Sequence, residues 1–180
     1  MIRAFLALEL DEATRSALVV QQFLLPLPRK EPPENFHITL AFLGEQPERS
    51  LEDAHEALME LRQPAFAVRL EGLGLFGGDR PRVAYAAVTQ DEPLMRLQRK
   101  VETIARRAGI EVEARRFIPH VTLGRFRPPG IEETMRLERA ISSSGDFRAG
   151  PMSVPEFVMF ESIRHAGGSR YEPLARYPLT

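Results

Sequence analysis

Two apolar runs of this chain each carry a polar pair at alternate positions. Residues 37–40 read His-Ile-Thr-Leu, and residues 120–123 read His-Val-Thr-Leu. Side chains alternate between the faces of a strand, so in each run the histidine and threonine share one face and the aliphatic residues share the other. The pattern predicts two half-buried strands, each presenting an imidazole and a hydroxyl on its polar face.

The other hydrophobic positions of the first half predict strands alternating with helices. Apolar runs predict strands at residues 2–10, 36–43 and 66–70, and spaced apolar residues predict helices at about 11–25 and 51–61. The first helix has Asp11 as its predicted N-cap, with Ala13, Ala17, Leu18, Val20 and Leu24 forming its apolar stripe. Prolines end this helix and hold the next segment extended. The glycine-rich residues 72–79 predict a loop.

The same order of elements recurs in the second half. Strands are predicted at residues 83–88, 117–123 and 154–163, with helices at 91–108 and 131–140 between them. Residues 171–179 predict one more strand, which its two prolines limit to the edge of a sheet.

The two halves therefore align as an internal repeat. His37 and His120 are 83 residues apart, and residues 66–68 align with 157–159 at an offset of 91. Two copies of one unit usually pack about a pseudo-twofold axis, which would bring the two motif strands face to face. Chance similarity is the alternative, and the matched motifs argue against it. We predict a single domain, residues 1–180, made of two lobes at about 1–72 and 82–163 with a C-terminal segment at 164–180.

Composition narrows the class of protein. The length of 180 residues suits one domain, and 43% hydrophobic with 27% charged residues is typical of a soluble globular protein. The absence of cysteine excludes disulfides, thiolate metal sites and a cysteine nucleophile. The apolar run at residues 4–8 is too short for a signal peptide or a membrane span, so we expect a cytoplasmic enzyme.

Local charge is more informative than the formal net charge of −1. Residues 106–127 hold six arginines against two glutamates, in the segment that carries the second motif. Such a surplus is consistent with an anionic ligand. The support is mild, because arginine is the usual cation throughout this chain.

Paired imidazoles and hydroxyls suit acid–base chemistry on a phosphate ester. Histidine has an unperturbed pKa of about 6.5, so one ring can accept a proton while another donates one. Threonine hydroxyls can donate hydrogen bonds to the phosphoryl oxygens as negative charge develops there. Two imidazoles acting without a metal suit an activated ester, above all a strained cyclic phosphate.

Two alternative interpretations of the histidines were considered. A single strand histidine is more often structural, but two at matched positions favour catalysis. Zinc is a second alternative, yet neither motif has a carboxylate or another histidine at ligand spacing. The remaining histidines are predicted to have no catalytic role, His55 being solvated on a helix and His165 lying in a loop.

The motifs and their flanks resemble the two-histidine (2H) phosphoesterase superfamily, and within it the 2'-5' RNA ligase family of RNA 2',3'-cyclic phosphodiesterases. The resemblance covers nearly the whole chain. Its segments are RAFLAL at 3–8, PENFHITL at 33–40, FLG at 42–44, PHVTLGR at 119–125, FES at 160–162 and RYEPL at 170–174.

This resemblance implies an α+β fold of two pseudo-symmetric lobes, with two antiparallel sheets lining a central cleft and helices outside. It also implies opening of a terminal 2',3'-cyclic phosphate to a 2'-phosphate, and with an RNA 5'-hydroxyl in place of water the same site would reversibly join RNA ends through a 2'-5' bond. By analogy His37 is the proton donor, His120 is the proton acceptor, and Thr39 and Thr122 hold the non-bridging oxygens. No metal or nucleotide cofactor, membrane or protein partner is implied, and a monomer is expected.

The family also places a phosphate-binding arginine after the second motif, which corresponds to Arg125. Strand alternation puts Arg125 on the face opposite His120, unless Gly124 permits a bulge that re-aims it. Base-stacking aromatic residues are expected, with Phe5, Phe42, Tyr85 and Phe126 as candidates. Other substrates known for relatives remain open, namely ADP-ribose cyclic phosphate, 2'-5' oligoadenylate and cyclic nucleotides. A non-catalytic module that binds RNA ends is the alternative from another class.

Overall fold

A computed structural model describes residues 1–180 and contains four helices and eight strands. The strands are β1 Ile2–Glu9, β2 His37–Gln46, β3 Phe66–Phe76, β4 Val83–Val88, β5 His120–Arg125, β6 Arg148–Val154, β7 Glu156–His165 and β8 Gly168–Pro178. The helices are α1 Glu12–Leu24, α2 Glu48–Met59, α3 Glu92–Arg107 and α4 Ile131–Ser143. The predicted α+β class is confirmed.

All eight strands form one antiparallel sheet in the order β6-β3-β4-β5-β2-β1-β7-β8. The two motif strands, β5 and β2, are neighbours at its centre and pair edge to edge, whereas the internal repeat predicted that they would lie face to face. They pair only at Ile38 and Val121. This single pair joins two four-stranded halves, which correspond to the two sheets expected from the sequence.

Strands β3 and β7 cross over between the two repeats. Strand β3 pairs with β4, the first strand of the second repeat, and β7 pairs with β1, the first strand of the first repeat. Both are the second strand outward from the central pair, which agrees with the alignment of residues 66–68 with 157–159. The lobes predicted at 1–72 and 82–163 describe the sequence repeat, but each half of the sheet contains strands from both.

Two strands differ from the prediction. Strand β6 was not predicted; it contains Gly150 and Pro151, and it lies at the sheet edge, where a missing N–H is tolerated. Strand β3 continues to Phe76 through the predicted loop. Its register shifts between Leu70 and Leu73, and Gly72 has a φ of +80° there, so this glycine marks a bulge within the strand.

The helices cover the apolar face of the sheet. Helix α3 buries Leu94, Leu97 and Val101, as its spacing predicts, and contacts β2. Helix α1 is capped by Asp11, whose carboxylate accepts a 2.8 Å hydrogen bond from the Thr14 amide.

The predicted stripe of α1 is wrong, because its buried side chains are Thr14, Leu18 and Gln22. Val20 and Leu24, both assigned to that stripe, are 60% and 63% exposed. No helix of this fold combines the length and the apolar character that a membrane crossing requires.

Candidate active site

The two motif histidines open their strands, and a backbone carbonyl two residues earlier orients each ring. The Nδ1 of His37 donates to the Asn35 carbonyl, and the Nδ1 of His120 donates to the Ile118 carbonyl, both at 2.7 Å. A carbonyl can only accept, so the proton of each neutral ring resides on Nδ1. The Nε2 atom of each ring is then available to accept another proton.

The central strand pair places the motif threonines beside the histidines. Because Ile38 lies opposite Val121, the antiparallel register sets His37 across from Thr122 and Thr39 across from His120. The hydroxyl of Thr39 also donates a 2.9 Å hydrogen bond to Nε2 of His37. All four predicted residues therefore lie on one face of the sheet.

A bulge in β5 brings Arg125 to the same face. Tyr85 pairs with Thr122 and Ala84 pairs with Gly124, which leaves Leu123 as the extra residue. The extra residue reverses the alternation, so Arg125 points into the cleft with His120. The alternation rule placed Arg125 on the other face and was wrong, because it assumes a regular strand.

Strand β2 contains the equivalent bulge. Leu6 pairs with Ala41 and Ala7 with Thr39, so Leu40 is the extra residue here. Phe42 therefore occupies the position that Arg125 occupies in β5, five residues after the histidine. The pseudo-symmetric site thus has a cation on one side and a half-exposed aromatic ring on the other.

Buried glutamine side chains bind the carbonyl groups of both bulge residues. The amide of Gln22 donates at 2.8 Å to the Leu123 carbonyl and at 2.8 Å to the Glu31 carbonyl. The amide of Gln98 donates to the Leu40 carbonyl at a longer 3.4 Å. Sequence analysis missed both glutamines, because a polar residue on a helix is ordinarily taken as solvated.

Aromatic rings flank each histidine. The ring of His37 lies 5.0 Å from Phe5 and 5.2 Å from Tyr171, measured between centroids. The ring of His120 lies 5.0 Å from Phe76 and 5.5 Å from Tyr85. Of the proposed stacking candidates, Phe5 and Tyr85 therefore pack on the histidines. Phe42 lines the cleft, and Phe126 does not.

Burial keeps both imidazoles neutral in the free protein. It is the largest influence on His37 and lowers its pKa to about 4, with smaller lowering by the charge of Arg125 and by His120. Burial also lowers the pKa of His120, and the charges of Arg125 and Arg115 act in the same direction. A bound anion would oppose the effect of Arg125 and favour protonation of the rings.

The cleft consists of two connected cavities with different walls. The cavity beside His120 measures about 450 Å³ and is rich in apolar residues, including Phe42, Phe76, Val83, Val112, Phe117 and Ile118. The cavity beside His37 measures about 480 Å³ and is more polar. Phe42, Glu113 and Arg125 line both. Thr122 is on the same sheet face but lines neither cavity.

The other two histidines lie outside the cleft. His55 is half-buried, and its Nδ1 accepts a 2.9 Å hydrogen bond from the buried hydroxyl of Tyr177, so the prediction that it is solvated was wrong. His165 lies at the exposed end of β7 and accepts a hydrogen bond from the Gly167 amide. No group of three or more histidine or carboxylate side chains is placed to hold a metal ion.

Fold and site together define an α+β protein that presents two histidines on neighbouring central strands to one cleft. The family model described as "2'-5' RNA ligase superfamily" matches residues 7–162. The chain therefore belongs to the 2'-5' RNA ligase superfamily, which confirms the predicted family.

Individual relatives match along most of the chain. The RNA 2',3'-cyclic phosphodiesterase of Aeropyrum pernix is 36% identical over 143 residues, covering 78% of this chain and 80% of that protein. The protein of the same description from Archaeoglobus fulgidus is 31% identical and covers 96% of this chain and 98% of its own. The solved structure of Escherichia coli LigT complexed with 3'-AMP matches with a TM-score of 0.80 at 27% identity, covering 99% and 98% of the two chains.

Proposed function

We propose that this protein is an RNA 2',3'-cyclic phosphodiesterase that converts a terminal 2',3'-cyclic phosphate into a 2'-phosphate. The observation that carries the proposal is the convergence of His37, His120 and Arg125 on one cleft face through the pairing of β2 with β5 and the bulge at Leu123. The names of the relatives from Aeropyrum and Archaeoglobus support the same reaction.

In this mechanism the two histidines act on opposite sides of the phosphorus atom. The neutral Nε2 of His120 accepts a proton from water as the water oxygen bonds to phosphorus. The bond from phosphorus to the 3'-oxygen then breaks, and the protonated Nε2 of His37 donates its proton to that oxygen. Each proton transfer contributes about 10²–10⁴-fold to the rate.

The remaining polar groups bind the phosphoryl oxygens. Thr39 and Thr122 donate from their hydroxyls, and Arg125 balances the charge that develops on the non-bridging oxygens. For Thr39 this means exchanging its hydrogen bond to His37 for one to the substrate. That exchange frees Nε2 of His37 to hold the catalytic proton.

The low pKa of His37 makes its role as the acid depend on the substrate. The free protein holds this ring neutral near pH 7, because its pKa is about 4. The substrate brings a negative phosphate next to the ring, which favours the imidazolium form. Binding and proton uptake are thus coupled in the proposed reaction.

The proposal extends to the setting of the reaction. The protein acts as a cytoplasmic monomer, without a metal or nucleotide cofactor. Its partner is an RNA that ends in a 2',3'-cyclic phosphate. If an RNA 5'-hydroxyl replaced water as the nucleophile, its oxygen would bond to phosphorus as the bond to the 3'-oxygen breaks, and the same site would form a 2'-5' linkage.

The test is incubation with EDTA and a short RNA ending in a 2',3'-cyclic phosphate, followed by identification of the product end. We expect a 2'-phosphate. A 3'-phosphate would show that the ribose sits the other way between the histidines. Turnover of only cyclic mononucleotides, 2'-5' oligoadenylate or ADP-ribose cyclic phosphate would assign a different substrate.

Histidine variants connect the activity to the site. His37→Ala and His120→Ala should each abolish turnover while the protein stays folded by circular dichroism. His165→Ala is the matched control, since it removes an exposed imidazole outside the cleft. Binding without turnover in the wild-type protein would support a non-catalytic module that recognises RNA ends.

A further inference from the structure

The polar cavity beside His37 is built on three adjacent strands. Its walls are alternate residues of β1, β7 and β8, so their side chains share one sheet face. These residues are Arg3 and Phe5, Ser162 and Arg164, and Ser169 and Tyr171. Ser162 pairs with Tyr171 and Arg164 with Ser169, which fixes their relative positions. A cavity formed by paired strands is more rigid than one formed by loops.

This cavity holds a surplus of positive charge. Arg3, Arg125 and Arg164 line it, against the single carboxylate of Glu113. That carboxylate has its own partner, because Arg115 lies 3.5 Å from it. Arg3 and Arg164 form no ion pair, whereas both arginines of β8, Arg170 and Arg176, do. Two exposed guanidinium groups are therefore free to bind an anion.

Arg3 lines the same cavity as His37. Tyr171 packs edge-on against the ring of His37, with 5.2 Å between centroids. Burial raises the pKa of the Tyr171 phenol, whereas the charges of Arg3 and Arg125 lower it. Both guanidinium groups line the same cavity as Tyr171 and His37. An anion held by Arg3 would sit next to the bound cyclic phosphate.

The cavity beside His120 has a larger share of apolar wall, although Arg115, Arg116 and Arg125 also line it, against Glu102 and Glu113. Apolar and aromatic side chains form much of its wall, and such surfaces suit the face of a base. The two cavities meet at Phe42 and Arg125. The terminal nucleotide of an RNA carries a base on one side of its ribose and a 5'-phosphodiester on another, which matches this division.

We propose that the polar cavity is a binding subsite for the phosphodiester that lies one nucleotide upstream of the reacting cyclic phosphate, with Arg3 and Arg164 as its ligands. The inference rests on the proposed function, since it assigns the direction in which an RNA lies across that same site. It predicts a higher kcat/KM for the end of an oligonucleotide than for a cyclic mononucleotide.

The test compares two dinucleotides that end in a 2',3'-cyclic phosphate. One has a normal phosphodiester between its nucleosides, and the other has a neutral methylphosphonate of nearly the same shape. In the wild-type protein we expect kcat/KM to be about tenfold higher for the charged dinucleotide, the size of one charge-assisted hydrogen bond.

Substitution at the subsite should remove this preference. Arg3→Gln and Arg164→Gln should each bring the ratio of the two kcat/KM values close to one. Arg170→Gln is the matched control, because Arg170 lies on β8 but pairs with Glu172 at 2.8 Å and lines neither cavity. This control should keep the wild-type ratio.

Two kinetic outcomes would overturn the subsite. They are a ratio near one in the wild-type protein, and an undiminished ratio in both the Arg3→Gln and Arg164→Gln variants.

Equilibrium binding of the matching dinucleotide 2'-phosphates tests the subsite independently of catalysis. If wild-type protein turns over neither dinucleotide, the proposed function fails. The ratio of the two dissociation constants then decides the subsite, with about tenfold supporting it and a ratio near one rejecting it.

Discussion

The side-chain amide of Gln22 donates a 2.8 Å hydrogen bond to the carbonyl of Leu123. Leu123 is the bulge residue that turns Arg125 into the cleft, and the same amide holds Glu31, whose carboxylate lies 3.9 Å from Arg125. Replacing Gln22 with leucine should therefore loosen Arg125. We expect the free energy of unfolding to fall by about 1–3 kcal/mol, as for a lost buried hydrogen bond, and KM to rise several-fold.

Gln63→Leu provides the control for that prediction. Gln63 is also a buried glutamine, and its amide donates to the Pro93 carbonyl at 2.7 Å, away from the cleft. The Gln63→Leu variant should show a similar decrease in the free energy of unfolding, measured in urea, and an unchanged KM. Combining Gln22→Leu with Arg125→Gln should raise KM no further than Arg125→Gln alone. Equal effects of the two glutamine variants on KM would show that Gln22 is merely structural.

The rate should depend on pH with an acidic optimum. The pKa of His37 is about 4 in the free protein, and that of His120 is also below its ordinary value. Above both values both rings are neutral and the acid is missing, so kcat/KM should fall about tenfold per pH unit above pH 6.5. Below both values the base is protonated, which gives the acidic limb of a bell.

The pH profile of kcat should be displaced to higher pH than that of kcat/KM. This difference arises because the bound phosphate raises the pKa of both histidines, and kcat reports the bound form. A kcat/KM that rises steadily from pH 5 to pH 9 would contradict the two-histidine mechanism.

A better leaving group should rescue the loss of the acid but not the loss of the base. A cyclic substrate with sulfur in place of the 3'-oxygen expels a thiolate, which needs no protonation. With it, His37→Ala should regain about 10²-fold or more of its lost rate, while His120→Ala stays inactive. Rescue of His120→Ala instead would show that His120 is the proton donor and His37 the proton acceptor.

Arg125 should affect both binding and the titration of the histidines. Arg125→Gln removes a positive charge that lowers the pKa of His37 and of His120, so NMR titration should show both values rising. They should stay below about 6.5, because burial is the larger cause. The same variant should lose about 10²-fold in kcat/KM, since a donor to the developing charge is gone. Arg170→Gln should change neither property.

The hydroxyl of Tyr177 should contribute to stability alone. It is buried and donates to Nδ1 of His55 at 2.9 Å, and burial raises its pKa well above the ordinary value. Tyr177→Phe should cost about 1 kcal/mol and lower Tm by about 2–4 °C with kcat/KM unchanged. In a His55→Ala background the same substitution should cost little. An additive loss would mean that the hydrogen bond contributes nothing.

The sequence predicted those parts of the fold that regular periodicity encodes. Helix α3 has apolar residues at helical spacing and is buried along that stripe. The two motif strands alternate as expected up to their threonines. The matched motifs predicted that β2 and β5 would lie close together, because a repeat implies an axis between its copies, but not that they would pair side by side in one sheet.

Irregular features of the fold could not be predicted from the periodicity of the residue pattern. The sequence raised a bulge at Gly124 as one possibility for Arg125, but it could not place the extra residue at Leu123, because a bulge depends on register against a neighbouring strand. Helix α1 turns a threonine and a glutamine towards the core, because Gln22 finds carbonyl partners there that only the folded chain supplies. Strand β6 forms despite Gly150 and Pro151, because an edge strand needs fewer ladder hydrogen bonds.

The position of β7 in the sheet determines which part of the fold can form only late in synthesis. Strand β1 is made first, yet its free edge is covered only when residues 156–165 are present, about 150 residues later. A nascent chain that ends soon after the β2 strand therefore exposes the edge of β1 that β7 later covers. We expect the Phe5 side of the cleft to form last, in a single cooperative step with the C-terminal hairpin.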